Sequence, residues 1–367
     1  MTDLSFKTFF TTAQQVRPAG DRSRLAVLTI AGLALLLVVM ALISITTGAS
    51  GTSGWSVVES WFGLADAADP SVLRDHVIIY DIRLPRLALG MLVGAALSVS
   101  GVVMQGLFRN PLADPGLVGI SAGAGLGAVV IIVLGGTIAA PLVTLLGAYA
   151  LPLAAFAGGL IATFVLYRVA TRQGQTAIAT MLLAGIAISA LASALIGVMI
   201  YLASDQQLRD VTFWSLGSLA GANWTKVGAA GPLIVAAMGA AFFLASGLNA
   251  LTLGEATAHH LGVPVQRFKT IAIVAVAAAT GASVAVSGGV SFVGIVVPHL
   301  LRLTIGPDHR YLLPASALSG AVFLLAADTV SRIVVAPAEL PIGIVTAAVG
   351  GPFFLWILLR RRNRMAW

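Results

Sequence analysis

The chain has 367 residues, of which 58% are hydrophobic and 10% charged, and its formal net charge is +7. A soluble domain normally has about a quarter of its residues charged, so a soluble fold is excluded. The sequence contains no cysteine, which excludes disulfides and thiolate metal sites.

Ten apolar runs that are nearly free of charge follow one another along the chain. Six of them approach or exceed the ~20 residues that cross a bilayer as a helix; they cover residues 25–47, 87–105, 116–136, 151–167, 177–202 and 228–248. Four more are interrupted by glycine and proline, at residues 271–287, 290–303, 312–330 and 342–359. The first run is longer than the h-region of a signal peptide, so we interpret it as a retained span. The pattern predicts an all-α membrane protein with about ten transmembrane helices.

The basic residues lie at the ends of these runs, which fits a bilayer better than a nucleic acid partner. When the run ends are assigned alternately to the two sides, fifteen basic residues fall on one side and six on the other. The positive-inside rule then places the larger group and both termini in the cytoplasm. The outer group consists of Arg74, Arg83, Arg86, Arg209, Lys226 and Arg332.

Glycine-rich stretches occur inside the apolar runs. Residues 123–128 fit the dinucleotide fingerprint G-x-G-x-x-G/A, but that fingerprint requires a preceding strand and a soluble crossover unit. Within an apolar span, small residues instead favour close packing of helices. We make the same interpretation for Gly90, Gly94 and Gly101.

The three lysines exclude a phosphate-binding P-loop in this chain. A Walker A loop places glycine directly before its lysine. Lys7 and Lys269 follow phenylalanine, and Lys226 follows threonine. Any ATP that drives this protein is therefore hydrolysed by another chain.

Residues 253–262 form a short cytoplasmic insert with Glu255 early and Gly262 at its end. This arrangement is typical of a brief capped helix, and an interfacial loop is the alternative. His259 and His260 are adjacent, so on a helix they point about 100° apart and lack a third ligand. No metal site is predicted.

Charges inside the apolar runs are costly, at least ~2.5–3.5 kcal/mol at mid-span. Asp114 lies in a cytoplasmic turn, whereas Asp328 lies near an apolar interior, four residues before Arg332. This spacing predicts an i, i+4 ion pair near the outer end of the span.

A proton-coupled secondary transporter is an alternative, but the chain offers no row of carboxylates for a relay. An intramembrane enzyme is another, although no Ser/His pair or H-E-x-x-H helix is evident and His299 follows Pro298 at a span end.

Six stretches of the chain together form a specific set of sequence motifs. They are RLPR at 83–86, QGLFRNPLADP at 105–115, FWSLGSL at 213–219, LGEATAHHLG at 253–262, FVGIVVPH at 292–299 and ELPIG at 339–343. With these stretches the chain resembles the FecCD family of ABC importer permeases, which serve iron-siderophores, haem and vitamin B12. The resemblance runs from about Arg83 to Arg360.

This resemblance implies a type II ABC importer permease in the bacterial inner membrane, working as a homodimer with the pathway along the dimer axis. Two cytoplasmic ATPase subunits would carry ATP, and a periplasmic binding protein would dock outside. The apolar runs and their charged ends divide the chain into a cytoplasmic segment at 1–24, a ten-helix permease domain at 25–360 and a basic cytoplasmic tail at 361–367. The resemblance implies no catalytic residue and no permanent cofactor, with haem as transported substrate.

The resemblance also implies three sets of site residues. Docking of the binding protein is expected at Arg83, Arg86 and Arg332. The coupling helix that contacts the ATPase is expected at Gly254, Glu255, Ala256, Thr257, Ala258, His259, His260, Leu261 and Gly262. The pathway and its cytoplasmic gate are expected at Gln173, Gly174, Gln175, Thr176, Thr180, Ser189, Ser193, Met199 and Tyr201.

The transported ligand is a finer question. The amino-acid sequences of residues 105–109 and 304–311 most resemble those of haem permeases. A ferric siderophore or cobalamin would use similar walls, so both stay open as alternatives.

Overall fold

The structure is a computed structural model that describes residues 22–48, 59, 69–173 and 175–362. Most of the predicted terminal segments, residues 1–21 and 363–367, therefore lies outside the described residues. In the part that is described, the chain is helical apart from one small hairpin. The helices are α1 (Ser23–Thr46), α2 (Pro70–Val77), α3 (Leu84–Leu107), α4 (Ile120–Leu134), α5 (Ala140–Leu146), α6 (Ala150–Ala170), α7 (Ile178–Leu202), α8 (Asp205–Ser215), α9 (Trp224–Phe243), α10 (Ala245–Thr252), α11 (Glu255–His260), α12 (Val265–Ser287), α13 (Val293–Ile305), α14 (His309–Ile333) and α15 (Ile342–Arg362). The hairpin strands are β1 (Thr171–Arg172) and β2 (Gln175–Thr176).

Each of the ten predicted apolar runs coincides with most of one helix, namely α1, α3, α4, α6, α7, α9, α12, α13, α14 or α15, and the run at 228–248 also reaches the start of α10. Seven helical segments within the described residues are long and apolar enough to cross a bilayer. The three shorter apolar helices are α4, α13 and α15. These three contain or adjoin the glycines and prolines that interrupt their runs, because such residues end or bend helices.

The centre of the fold is α3, which packs against α9, α12, α13 and α14. Close approach of backbones makes this possible. A Cβ at Gly94 would overlap the carbonyl group of Gly320 on α14, and a Cβ at Gly101 would overlap the carbonyl oxygen of Gly294 on α13. Small residues at helix crossings allow the dispersion contacts that hold membrane helices together.

The glycine-rich stretch at 123–128 serves the same purpose, as predicted. It lies on α4, which packs most extensively against α6. A Cβ at Gly123 would meet the backbone of Gly158, and a Cβ at Gly127 would overlap the carbonyl oxygen of Ala154. A 3-10 turn and not a strand precedes α4, so the nucleotide interpretation has no structural support.

Candidate functional site

The short insert predicted at 254–262 is a helix, α11, as expected from its capping pattern. It begins after Gly254, whose φ of +105° and ψ of 156° lie in a region that is essentially accessible only to glycine. It ends before Gly262, whose φ is +85° and whose amide donates to the carbonyl of His259 at 2.9 Å. Two glycines therefore fix the direction of the chain on both sides of one and a half turns.

The two faces of α11 differ. Ala258 is fully buried, which fixes this face of α11 against the rest of the chain. The opposite face is exposed and carries Ala256, Thr257, His259 and His260, with Leu261 beside them. This face presents a small, weakly polar surface to a partner.

Lys269 on α12 connects α11 to the hairpin. The side chain of this lysine is buried, and its Nζ donates to Oε2 of Glu255 at 2.8 Å and to the backbone oxygen of Thr176 at 3.0 Å. The amide of Thr176 in turn donates to Oε1 of Gln266 at 2.9 Å. Both backbone polar groups of Thr176 are thus held by the first turns of α12.

The predicted gate at 173–180 contains this hairpin. Strands β1 and β2 pair antiparallel, with Thr171 opposite Thr176 and Arg172 opposite Gln175. Gln173 has φ of +50°, which lies in the left-handed region that tight hairpin turns require. Of the expected gate residues, Thr176 is buried, Gln173, Gln175 and Thr180 are exposed, and Gly174 lies outside the described residues.

A continuous set of bonds therefore runs from α11 to α7. Glu255 is the first residue of α11, Lys269 joins it to Thr176, and only Ala177 separates Thr176 from the start of α7. A cavity of about 520 Å³ opens between α11 and the hairpin, and it is lined in part by Glu255 and Gln266. Movement of α11 would reach the start of α7 through two hydrogen bonds.

The expected pathway residues on α7 fall into two groups. Ser193 is exposed, Tyr201 is 88% exposed and Ser189 is half-buried. Met199 differs, because it packs against the small apolar cluster that includes Val129 of α4 and Val211 of α8. Its side chain holds α7 against its neighbours, whereas Ser193 and Tyr201 lie on open surface.

At the predicted outer end of the helices, the arginines expected to dock a partner are buried. Arg86 binds Asp328 through Nε and Nη2 at 3.0 and 2.9 Å, and it binds Glu339 through Nη1 at 2.8 Å. Arg332 contacts the same Asp328 at 3.2 Å, which confirms the predicted i, i+4 pair. Asp328 therefore lies between two arginines instead of one.

Two of these arginines also bind the end of α1. Nη1 of Arg332 donates to the carbonyl oxygens of Ser44 and Thr47 at 3.1 and 2.8 Å, and Arg83 donates to the carbonyl of Ile45. The last carbonyls of a helix have no partner within the helix, so cations are favourable there.

Arg83, Arg86 and Arg332 are buried in this structure, and each residue is only 5–7% exposed. Their hydrogen bonds and ion pairs connect α1, α3 and α14. Arg74 and Arg209 are exposed members of the outer basic group. A docking role for the three buried arginines stays a prediction.

The two stretches whose wording looked most like haem permeases meet at the predicted cytoplasmic end. A Cβ at Gly106 would lie 2.9 Å from Nε2 of His309. Nδ1 of His309 is 2.7 Å from Oδ1 of Asn249, whose Nδ2 donates to Asp308 at 2.7 Å. This junction positions α14 against α3 and α10.

Sequence reasoning missed Lys269 and Gln266 as site residues. Lys269 had been counted only as one of the basic residues that orient the chain. A signal was present, because lysines are rare in this sequence and this one lies within a helix whose following residues are apolar. An ionisable group at such a position is expected to have a partner.

Comparisons with known proteins agree with this geometry. The profile of the FecCD transport family matches residues 36–360. The hemin transport system permease protein of Yersinia pestis is 49% identical over 284 residues, which is 77% of this chain and 84% of that protein. The cobalamin import system permease protein of Halobacterium salinarum is 46% identical, over 79% of this chain and 75% of that one.

The vitamin B12 import system permease protein of Klebsiella pneumoniae is 40% identical, over 91% of this chain and 94% of that protein. A solved structure described as an inward-facing conformation of a metal-chelate type ABC transporter superposes with a TM-score of 0.77 and 30% identity. The match covers 90% of this chain and 98% of that one.

Proposed function

Because the chain belongs to the FecCD transport family, we propose that this multi-pass membrane protein is the permease subunit of an ABC importer for haem. In this proposal the protein lies in the bacterial inner membrane with both termini in the cytoplasm. It works as a homodimer with two ATPase subunits and a periplasmic binding protein. The permease itself holds no permanent cofactor, and ATP binds to the ATPase subunits.

The proposal rests on the hydrogen bonds through Lys269 that connect α11 to the start of α7. An ATP-driven permease must convert movement at an ATPase contact into movement of helices that line its pathway. Glu255, Lys269 and Thr176 join the exposed helix α11 to the start of α7 with bonds of 2.8 and 3.0 Å. Hydrogen bonds to a charged group are shorter than neutral ones and about twice as strong, which suits such a connection.

Haem as substrate is supported by the 49% identity to the hemin permease of Yersinia pestis. Haem combines an apolar macrocycle with two carboxylates. The weakly polar surface of α7, with Ser193 between exposed apolar residues such as Leu191 and Leu195, suits a large apolar ligand that must pass without tight binding.

Uptake into proteoliposomes tests this proposal. The chain is reconstituted with its ATPase and binding protein, and labelled haem is supplied outside with ATP inside. We expect uptake that requires ATP and the binding protein and is unaffected by dissipation of ion gradients. Uptake driven by an imposed proton or sodium gradient without ATP would contradict an ABC importer.

Cobalamin import is a second candidate, favoured by the 46% and 40% identities to two cobalamin permeases. The same vesicles distinguish the two substrates when unlabelled cobalamin or a ferric siderophore competes with labelled haem. Haem uptake that persists at excess cobalamin supports the haem proposal. ATP-dependent cobalamin uptake without haem uptake would replace the substrate but keep the importer.

Docking of the binding protein is proposed to depend on Arg83, Arg86 and Arg332 through the surface that they support. Their bonds to α1 and to Asp328 fix the outer ends of three helices. Exposed cations such as Arg74 and Arg209 are then available to steer an acidic partner.

A further inference from the structure

A cavity of about 390 Å³ lies where the N-terminus of α1, the C-terminus of α13 and the start of α14 meet. Its lining includes three arginines, Arg22, Arg302 and Arg310, together with Asp308 and Tyr311. It is separated in sequence from α11, the hairpin and α7, so the proposed transport site does not account for it.

Asp308 cannot neutralise all three arginines, because its carboxylate already binds the guanidinium group of Arg310 and the side chain of Asn249. Arg310 binds it through Nε at 3.1 Å and through Nη2 at 2.7 Å, and these bonds lower the pKa of the Asp308 carboxyl to about 2. The same carboxylate accepts from Nδ2 of Asn249 at 2.7 Å and from the backbone amide of Arg310 at 3.0 Å. Asp308 and Arg310 therefore form a closed pair.

Arg302 has no such partner. Its Nε and Nη2 are shielded from water, and in the described part of the chain neither nitrogen has a hydrogen-bond acceptor. No described carboxylate forms an ion pair with it, whereas Arg22 donates to the carbonyl oxygens of Leu303 and Thr304. Arg302 as a whole is only half-buried, but two guanidinium nitrogens that are shielded from water and have no acceptor are costly. The cavity therefore has a net positive charge that an anion would offset.

The surroundings of the cavity indicate where that anion comes from. Within a few residues of its lining in the sequence, α1 exposes Leu25 and Leu28, and α13 exposes Leu300 and Leu303. Exposed apolar side chains that begin beside a basic cavity are typical of the level at which lipid headgroups meet acyl chains. Guanidinium groups also match the geometry of phosphate oxygens.

We propose that this cavity binds the phosphate group of an anionic phospholipid, with Arg302 and Arg22 as its cations and the acyl chains along Leu25, Leu28 and Leu303. Such a lipid would tie the first helix of the chain to α13 and α14. The ligand chemistry is a phosphate mono- or diester, and the apolar surface beside the cavity assigns it to a lipid rather than to free phosphate.

Native mass spectrometry of the purified full chain tests this inference with three probes. They are phosphatidylglycerol, zwitterionic phosphatidylcholine and inorganic phosphate. Wild type is compared with Arg302→Gln, with Arg302→Lys, and with Arg168→Gln as a matched control. Arg168 is an exposed arginine at the end of α6. Thermal melting in detergent checks that each variant is folded.

Both lipids carry a phosphodiester, but only phosphatidylcholine also carries a cationic ammonium, which the arginines of the cavity repel. We therefore expect wild type and Arg168→Gln to bind phosphatidylglycerol about tenfold more tightly than phosphatidylcholine, a difference of roughly 1.4 kcal/mol. Arg302→Gln should lose this preference, and Arg302→Lys should keep part of it. Equal preference in wild type and folded Arg302→Gln would overturn the inference. Binding of inorganic phosphate at this site without any lipid preference would overturn the lipid assignment.

Discussion

Lys269 is a buried cation whose two partners lie on two different elements. Its amine is buried, with only 2% of the residue exposed, and a lone ammonium in that position would be unstable. Glu255 and the carbonyl of Thr176 compensate this charge. The same two bonds join the helix proposed to contact the ATPase to the strand that leads into α7.

We predict that Lys269→Met uncouples ATP hydrolysis from transport. The methionine fills the buried space but cannot hold Glu255 and Thr176 together, so transport per ATP hydrolysed should fall about 2- to 30-fold, the range of typical coupling energies. Lys269→Arg should retain part of the coupling. Uptake and ATP hydrolysis measured on the same vesicles give this ratio.

Arg267→Met is the matched control, because Arg267 lies on the same helix but is exposed. It should leave the ratio unchanged. If Lys269→Met transports normally per ATP, the connection through Lys269 carries no motion, although the chain can still be an importer permease.

Arg332 is the second residue whose partners define its role. It satisfies two carbonyl oxygens and one hydroxyl at the end of α1, at distances of 2.8 to 3.1 Å. Arg332→Gln should destabilise the protein by about 1–3 kcal/mol, because buried acceptors lose a charged donor. Thermal melting in detergent measures this change, with the exposed Arg209→Gln as control.

A direct docking role for Arg332 makes a different prediction. Folded Arg332→Gln would then lose affinity for the binding protein at low salt and regain part of the difference at high salt, since screening acts over about 8 Å at physiological ionic strength. Unchanged affinity in folded protein would leave Arg332 with a structural role alone.

At the scale of elements, α11 is a short helix whose two faces have separate tasks. We predict that Ala256→Arg blocks assembly with the ATPase while the chain still inserts, because Ala256 lies on the exposed face. Ala258→Arg should instead lower the yield of folded protein, because Ala258 is fully buried. Co-purification of the ATPase and membrane yield measure the two effects. Normal transport by Ala256→Arg would mean that another segment contacts the ATPase.

Helix α7 allows a second test at this scale, because the chain contains no cysteine. Single cysteines at Ser193 and Tyr201 should react with a water-soluble thiol reagent from the pathway. A cysteine at Met199 should be protected, since that side chain packs against α4 and α8. Reactivity measured with and without ATP reports the pathway, and protection of all three positions in both states would contradict it.

At the scale of the whole molecule, the described residues include ten apolar helices, with α3 at their centre. Nothing in the sequence can cradle the phosphates of ATP, because none of its three lysines follows a glycine. We predict that the purified chain hydrolyses no ATP and that hydrolysis appears only with the ATPase subunits. A phosphate-release assay measures this, and activity that persists after removal of contaminating ATPases would contradict it.

The sequence alone predicted the ten apolar helices and the short helix α11, because long apolar runs and capping residues act locally. The short helices α2, α5, α8 and α10 were outside that prediction. The sequence also determined the family and the position of α11. The tertiary structure decided the roles of the charged residues, since their partners are distant in sequence. Lys269 binds Thr176, which is 93 residues away in the sequence, and Arg332 binds Ser44, which is 288 residues away. Local sequence patterns show how many cations there are and that they lie near helix ends. Only the packing of distant segments determines which groups offset the charge of each cation.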